Sequence, residues 1–216
     1  MTYKTRFQYL FDKAADIAHG SPASNPQGAH LPPLFFFTDP ARTPHPEDIA
    51  AHLPACCGVV YRHFGEHHAL QRARLLRKIA TDNDLVLLIG EDDDMALEVG
   101  ADGIHLREQS LARAPDLRAR HPDLVLTAAC HGGLALNHPA VMEGQVAALF
   151  ASPVFASESA SAQGVPPLGV KGIREMVESS AVPVYGLGGI NCDSITRLHD
   201  CGLAGVGAVD AFSMKD

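Results

Sequence analysis

The stretch that decides the fold is Pro183-Val184-Tyr185-Gly186-Leu187-Gly188-Gly189-Ile190, followed by Gly202-Leu203-Ala204-Gly205-Val206-Gly207-Ala208-Val209. Each is a short apolar run that opens into small residues, which is typical of a buried strand followed by a turn. A glycine pair lets backbone N–H groups face an anion such as phosphate at the start of a helix. Strands 7 and 8 of a (β/α)8 barrel bind phosphate in this way, although glycine is also a common way to end a strand.

The rest of the chain alternates short apolar runs with longer amphipathic ones, which indicates βα units and a parallel sheet. An open doubly wound sheet also alternates, but it would carry a glycine-rich turn after its first strand, and 38–41 has none. We therefore predict an α/β fold, a (β/α)8 TIM barrel. The predicted strands are 34–38, 57–61, 85–89, 102–106, 124–128, 146–151, 182–186 and 204–209, and the predicted helices are 46–53, 67–82, 92–99, 110–120, 133–143, 170–179 and 191–201.

An extra segment precedes the barrel. Residues 1–20 place apolar side chains at helical spacing, and 20–33 is a polar, proline-rich linker. We predict that 1–33 forms an N-terminal helix with its linker and that 34–216 forms the barrel. The extra helix is expected either to cover the bottom of the barrel or to mediate contact in a homodimer.

The composition and charge of the chain limit the kinds of molecule that it is expected to bind. A net charge of −8 argues against nucleic acid or an anionic membrane, and 46% hydrophobic with 19% charged residues is ordinary for a globular protein. No apolar run approaches the ~20 residues that span a bilayer, and the first residues lack the apolar core of a signal peptide. The five cysteines contain no CxxC pair, so we expect reduced thiols and a cytoplasmic protein.

Four segments are Val99 to Leu106, Ser152 to Phe155, Pro167 to Gly169 and Pro183 to Ile190. Together, in this order and spacing, they resemble the thiamine phosphate synthase and TenI superfamily, and the likeness runs from about Leu34 to Phe212. The resemblance implies a barrel that holds a thiazole phosphate, a small-molecule ligand, at its C-terminal mouth. The phosphate cradle would consist of Gly188, Gly189 and the backbone of Ala208 and Val209.

The synthases of this superfamily join an aminopyrimidine diphosphate to the thiazole phosphate and use Mg²⁺, so the resemblance implies cationic and metal-binding side chains. Of the family's Gln-x-Arg-x-Lys after strand 2, only the arginine remains, as Arg62. The Asn-Asp after strand 3 corresponds to Gly90-Glu91, and a metal-binding aspartate corresponds to Ser110. Glu91 is the remaining candidate for Mg²⁺, although the acidic run 91–94 also suits the start of a helix without any metal.

Further substitutions affect the binding of diphosphate. The serine after strand 5 corresponds to Ala129, and Thr-x-Thr-Lys after strand 6 corresponds to Ser157-Glu158-Ser159-Ala160. The hydroxyls of Ser157 and Ser159 remain for substrate binding, but the lysine is lost. Because a departing diphosphate must be stabilised by positive charge, these changes predict that efficient synthase activity is lost.

His131 follows strand 5 in Ala129-Cys130-His131, where the superfamily often has Ser-x-His. The TenI branch isomerises a thiazole phosphate carboxylate, and the resemblance implies that a histidine here carries the proton. Imidazole can accept and donate a proton near neutral pH, and such a reaction requires no cofactor. The alternative is that His131 caps a helix or packs at the rim of the barrel.

Other polar residues leave alternatives open. Asp210 stands where the family has a serine and would repel phosphate unless it points away. The histidines at 63, 67 and 68 could bind a metal but match no standard spacing, so a solvated loop is preferred. His105 is expected to be a hydrogen-bonded structural residue. The loop 156–166 could act as a lid or be disordered.

Three functional hypotheses result. The preferred one is TenI-like proton transfer, a thiazole tautomerase with His131 as acid and base. The second is thiamine phosphate synthase with Mg²⁺. The third is a catalytically silent protein that binds or senses a phosphate ligand.

Overall fold

Eight parallel strands close into a barrel in chain order, with each strand hydrogen-bonded to its neighbours and β8 to β1. The computed structural model describes residues 2–22, 25–28, 30–157 and 164–214. The predicted (β/α)8 barrel is confirmed, and every predicted strand is present within about two residues. The strands are β1 Leu34–Phe37, β2 Gly58–Tyr61, β3 Val86–Gly90, β4 Gly103–Leu106, β5 Val125–Cys130, β6 Ala148–Ala151, β7 Val184–Leu187 and β8 Gly205–Ala208.

Helices lie between the strands on the outside of the barrel. They are α1 Tyr3–Ala18, α2 Pro46–Ala50, α3 Ala69–Asp82, α4 Asp93–Val99, α5 Ala114–Arg120, α6 Gly133–Leu136, α7 Pro139–Met142 and α8 Gly169–Ser179. Short 3-10 helices span Glu108–Arg113, Ile195–Leu198 and Asp210–Phe212. No helix among the described residues is long and apolar enough to cross a membrane.

Two predicted helices differ from the structure. The predicted helix 133–143 is split into α6 and α7, because Pro139 has no N–H to donate and holds His138 in an extended conformation with ψ 134°. The predicted helix 191–201 is reduced to the 3-10 turn Ile195–Leu198. There Asn191 Oδ1 accepts bonds from the N–H groups of Asp193 and Ser194, and such local bonds compete with a regular helix.

Helix α1 occupies the position that a helix after β8 would take. It packs against β1, β8 and the 3-10 helix Ile195–Leu198, so it lies on the side of the barrel and does not cover its bottom. The ring of Phe7 contacts that of Phe212 at 5.1 Å, and Phe212 in turn contacts Phe36 at 5.3 Å. The described residues that follow β8 form the 3-10 helix Asp210–Phe212, and beside it α1 shields apolar surface of β8 and β1. A dimer contact through α1 stays a prediction.

The interior of the barrel is filled by aromatic rings. Phe150 lies at its centre, with ring centroids 4.9 Å from Phe37, 5.3 Å from Phe35 and 4.8 Å from Tyr185. Glycine makes room for these rings, since a Cβ at Gly58 would stand 2.1 Å from Phe35 Cε1. Large and small side chains thus alternate to fill the narrow barrel.

The five cysteines are free thiols, as predicted. Burial raises the pKa of the Cys57 and Cys130 thiols, which keeps them protonated and poorly nucleophilic.

Candidate active site at the mouth of the barrel

Two cavities open among the loops that follow the C-terminal ends of the strands. The first, here called the β7–β8 pocket, has a volume of about 460 Å³ and lies beside the ends of β6, β7 and β8. The second, the β2–β4 pocket, has a volume of about 240 Å³ and lies beside the ends of β2, β3 and β4. Enzymes with this fold place their active sites at this face, so both cavities are candidate substrate sites.

The β7–β8 pocket is lined by the four residues of the predicted phosphate cradle, Gly188, Gly189, Ala208 and Val209, and by Ser157, which was predicted to bind substrate. The two glycines have φ values of 95° and 67°, which other residues rarely adopt. A Cβ at position 189 would lie 2.5 Å from the carbonyl oxygen of Ala156, so only glycine fits there. Ser159 and most of the predicted lid loop lie within 158–163, outside the described residues.

Asp210 lines the same pocket, and Arg42 offsets part of its charge. Arg42 Nη1 donates to Asp210 Oδ2 at 2.8 Å, and Arg42 Nη2 donates to Asp39 Oδ2 at 2.9 Å. Burial alone would raise the pKa of Asp39, but the hydrogen bonds and charge of Arg42 lower it overall. Arg42 therefore reduces the repulsion that Asp210 would otherwise exert on a bound phosphate.

In the β2–β4 pocket, Arg62 provides a buried cation. Its Nε donates to the carbonyl oxygen of Thr38 at 2.9 Å, and its guanidinium lies 5.4 Å from the ring centroids of both Phe37 and Phe64. Burial lowers its pKa to about 10, so it remains charged at neutral pH. Its Nη2 is buried and has no hydrogen-bond partner among the described residues. An unsatisfied charged donor beside a cavity is suited to an anionic ligand.

Glu91 lies in the β2–β4 pocket with its carboxylate already engaged. Oε1 accepts a bond from the backbone N–H of Arg107, and Oε2 accepts from Arg107 Nη2 at 3.0 Å and from Ser110 Oγ at 2.8 Å. Mg²⁺ is normally held by one or two carboxylates together with substrate phosphates. Here the one carboxylate lining the pocket is neutralised by a guanidinium, and Ser110 is a weak ligand. The donor set therefore does not fit Mg²⁺.

No group of three or more histidine, cysteine, aspartate or glutamate side chains forms a metal site in the described ranges, and this includes the histidines at 63, 67 and 68. His63 instead lies 3.5 Å from Asp92. His67 and His68 are exposed.

His131 is positioned at the end of β5 through both its backbone and its ring. Its N–H donates to Glu108 Oε2 at 2.7 Å, and its Nδ1 lies 3.2 Å from both the carbonyl oxygen and Oγ of Ser152. The carbonyl favours the tautomer with a proton on Nδ1, which leaves Nε2 as a base. Nε2 has no hydrogen-bond partner in the described part of the chain. His131 is not among the residues that line either cavity.

His105 lies between the aromatic interior and the β2–β4 pocket. It is buried, its Nδ1 is 3.0 Å from Thr127 Oγ1, and its ring meets Phe37 and Phe150 edge-on. Burial, together with the nearby charges of Arg62 and His131, lowers its pKa to about 3. His105 is thus a neutral, hydrogen-bonded residue, in agreement with its expected structural role.

Comparison with known proteins identifies the family. The sequence model described as thiamine monophosphate synthase matches residues 49–212. The chain belongs to the thiamine monophosphate synthase family. It is 31% identical to the putative thiamine-phosphate synthase 2 of Aquifex aeolicus, with 65% of this chain and 73% of that protein covered. It is 30% identical to the thiamine-phosphate synthase of Laribacter hongkongensis, with 66% of each covered.

A longer relative and a solved structure extend this comparison. The bifunctional thiamine biosynthesis protein ThiM/ThiE of Symbiobacterium thermophilum is 30% identical over 86% of this chain, which spans only 40% of that protein's length. The thiamine phosphate pyrophosphorylase of Pyrococcus furiosus superposes with a TM-score of 0.67 at 22% identity, covering 85% of this chain and 88% of the other. At that identity the superposition supports the fold alone.

Within this family member, sequence reasoning missed Arg6 and Arg42, which both line the β7–β8 pocket. Both lie outside the matched region 49–212. Arg42 is in the loop after β1, so its position at a strand end was a usable signal. Arg6 is in α1, and nothing in the sequence places that helix beside β8.

The neutral state of His105 leads to a prediction about pH. The unfolded chain binds a proton at this residue near pH ~6.5, whereas the folded chain binds it only near pH 3. The folded state is therefore fully stabilised above pH ~6.5, and stability falls toward pH 3 by up to about 1.4 kcal/mol per pH unit from this residue.

Urea unfolding at several pH values should show this fall, and the fall should be shallower in His105→Gln. The control His67→Gln, at an exposed histidine, should keep the wild-type slope. Equal slopes in wild type and His105→Gln would show that His105 does not titrate as described.

Proposed function

We propose that this chain acts in thiamine biosynthesis by joining an aminopyrimidine diphosphate to a thiazole phosphate. The observation that carries the proposal is the presence of two separate cavities at the mouth, each with at least one arginine. A reaction between two phosphorylated substrates requires two anion-binding regions, whereas isomerisation of one phosphate requires a single region. The thiazole phosphate would occupy the β7–β8 pocket, and the diphosphate substrate would occupy the β2–β4 pocket.

The names of the relatives favour the same reaction. These relatives are named thiamine-phosphate synthase or putative thiamine-phosphate synthase, and such synthases are transferases. The names therefore support group transfer over the tautomerase reaction that the sequence alone favoured.

In the proposed reaction the bond between the pyrimidine methylene carbon and the diphosphate oxygen breaks, and diphosphate leaves with the electron pair. The thiazole nitrogen then donates its lone pair to the methylene carbon, forming the new C–N bond. Arg62 would stabilise the leaving charge with its guanidinium, whose Nη2 has no hydrogen-bond partner among the described residues. Arg107, at the rim of the same pocket, is paired with Glu91.

The loss of the family's lysines and metal ligands predicts a slow reaction. One unpaired guanidinium, that of Arg62, replaces a site that the family resemblance equips with lysines and Mg²⁺. Since Glu91 is bound to Arg107 and Ser110, this proposal assigns the leaving-group stabilisation to Arg62.

A second candidate is favoured by one observation, the unpartnered Nε2 of His131. Held by Ser152 through Nδ1, the ring could move a proton on a thiazole phosphate carboxylate. This reaction requires that the substrate extend from the β7–β8 pocket toward β5.

Mass-spectrometric detection of thiamine phosphate tests the proposal. With both substrates and Mg²⁺ supplied, the wild type should form thiamine phosphate and release diphosphate, and Arg62→Gln should lower the rate by about 100-fold. The control Arg74→Gln, at an exposed arginine paired with Glu98, should keep the wild-type rate.

The other outcomes decide among the alternatives. No thiamine phosphate from folded wild type would refute the transferase. Isomerisation that is lost in His131→Ala would then establish the tautomerase, and binding without any product would establish the silent protein.

A further inference from the structure

We propose that Arg6 of α1 is the cation that binds the phosphate in the β7–β8 pocket, so that the segment before the barrel forms part of the ligand site. The proposal rests on the proposed function for the identity of the ligand as a thiazole phosphate. The anion site itself rests only on the geometry below.

The position of Arg6 is fixed by its neighbours. Phe7 is buried against Phe212, just after β8, and this contact anchors the first turns of α1 near the mouth. Arg6 Nη2 donates to the carbonyl oxygen of Ser213, and its guanidinium lies 5.6 Å from the Phe7 ring centroid. The side chain therefore reaches the β7–β8 pocket from a firmly packed helix.

The charge balance of the pocket singles out Arg6. The charged residues lining it are Arg6, Arg42, Asp193 and Asp210. Arg42 is paired with Asp39 and Asp210. Arg6 forms no ion pair with any residue that the structure describes, and its Nε is buried without a hydrogen-bond partner. Arg6 is therefore the cation of this pocket whose charge is not paired with a carboxylate.

Phosphate fits this arrangement better than a neutral ligand does. The glycine turn at Gly188 and Gly189 lets a ligand approach the backbone closely, but backbone N–H groups carry only partial charge. A guanidinium adds a full charge and a fork of donors that matches phosphate oxygens.

The test compares two variants of the same helix by isothermal titration calorimetry on the full chain. Arg6→Gln removes the proposed ligand, and Lys4→Gln removes an equal charge from an exposed position that does not line the pocket. The probes are inorganic phosphate and thiazole phosphate. Arg6→Gln should weaken both by about 10-fold or more, as expected for a charge-assisted bond, whereas Lys4→Gln should bind like the wild type.

A second measurement locates the site. Cys192 is half-buried and lines the β7–β8 pocket, whereas Cys56 is exposed just before β2, at the opposite end of the barrel. Phosphate should slow the alkylation of Cys192 but not of Cys56, as followed by mass spectrometry of the labelled peptides. Protection of Cys192 should require a higher phosphate concentration in Arg6→Lys, which keeps the charge but loses the fork. If Arg6→Gln does not fold, the protection of Cys192 in Arg6→Lys tests the role of Arg6 in its place.

The outcomes separate this inference from the proposed function. Equal phosphate affinity in Arg6→Gln and wild type, or no binding and no protection of Cys192 in wild type, would overturn the role of Arg6. Phosphate binding that depends on Arg6 without thiamine phosphate formation would uphold the inference and refute the transferase. Thiamine phosphate formation with an unchanged KM for thiazole phosphate in Arg6→Gln would support the transferase and refute the role of Arg6.

Discussion

Replacing Gly189 with alanine is expected to abolish phosphate binding in the β7–β8 pocket. The new Cβ would stand 2.5 Å from the Ala156 oxygen and 2.8 Å from Phe155 Cβ, and φ at this position is 67°. Relieving both clashes must move the turn after β7 away from β6, and the pocket walls with it. We expect at least a ~100-fold loss of affinity for thiazole phosphate, measured by calorimetry, because a displaced cradle loses several hydrogen bonds at once.

Two glycine-to-alanine controls separate the causes. Gly65 has a φ of 82° but open space around its Cβ, so Gly65→Ala tests backbone strain alone. A Cβ at Gly133 would meet no neighbouring atom, and Gly133 has no positive φ, so Gly133→Ala tests a glycine-to-alanine change without clash or backbone strain. Both variants should bind thiazole phosphate like the wild type. Normal binding by Gly189→Ala would show that the phosphate lies elsewhere.

Replacing Phe150 with alanine is expected to cause the largest loss of stability. Its ring is completely buried and contacts Phe35, Phe37, His105 and Tyr185 at the centre of the barrel. Closed barrels cannot easily collapse around a cavity, so we expect the free energy of unfolding to fall by about 3–5 kcal/mol. Urea denaturation should show a lower midpoint with an unchanged slope.

The matched control for this variant is Leu134→Ala, because the Leu134 side chain is 87% exposed. Its free energy of unfolding should stay within about 0.5 kcal/mol of the wild-type value. A loss below ~1 kcal/mol in Phe150→Ala would mean that the rings do not form one packed core.

The strands could be predicted because most are short apolar runs, as strands covered on both faces require, although β4 and β5 carry His105 and Thr127 within the run. Leu34–Phe37 and Ala148–Ala151 are buried at every position. Helix boundaries were less predictable where local hydrogen bonds prevail. Asn191 and Pro139 each end or divide a segment whose apolar spacing alone suggests a longer helix.

The predicted phosphate cradle relied on glycines, whose conformational demands are local and can be read from sequence. The charges of the pocket depend on contacts between distant segments. Arg42 reaches Asp210 across 168 residues of sequence, and Arg6 reaches Ser213 across 207. No periodicity or spacing rule brings such pairs together, so the sequence suggested an Asp210 that repels phosphate, where the structure has one that shares Arg42 with Asp39.

The same reasoning applies to Glu91. In the sequence it was the remaining candidate for Mg²⁺, because it stands where the family resemblance implies Asn-Asp. The structure places Arg107 and Ser110 against it, and both come from the segment after β4. Through those contacts Glu91 holds Arg107 and Ser110 in place at the rim of the β2–β4 pocket, and it does not act as a metal ligand.

A crystal structure of the chain with bound thiazole phosphate tests the central claim most directly. The account predicts the phosphate in the β7–β8 pocket, within hydrogen-bond distance of the backbone at Gly189 and Val209 and of the Arg6 guanidinium. The β2–β4 pocket should remain open for the second substrate. Thiazole phosphate bound with its phosphate against Arg62, or clear of both glycines and Arg6, would contradict it.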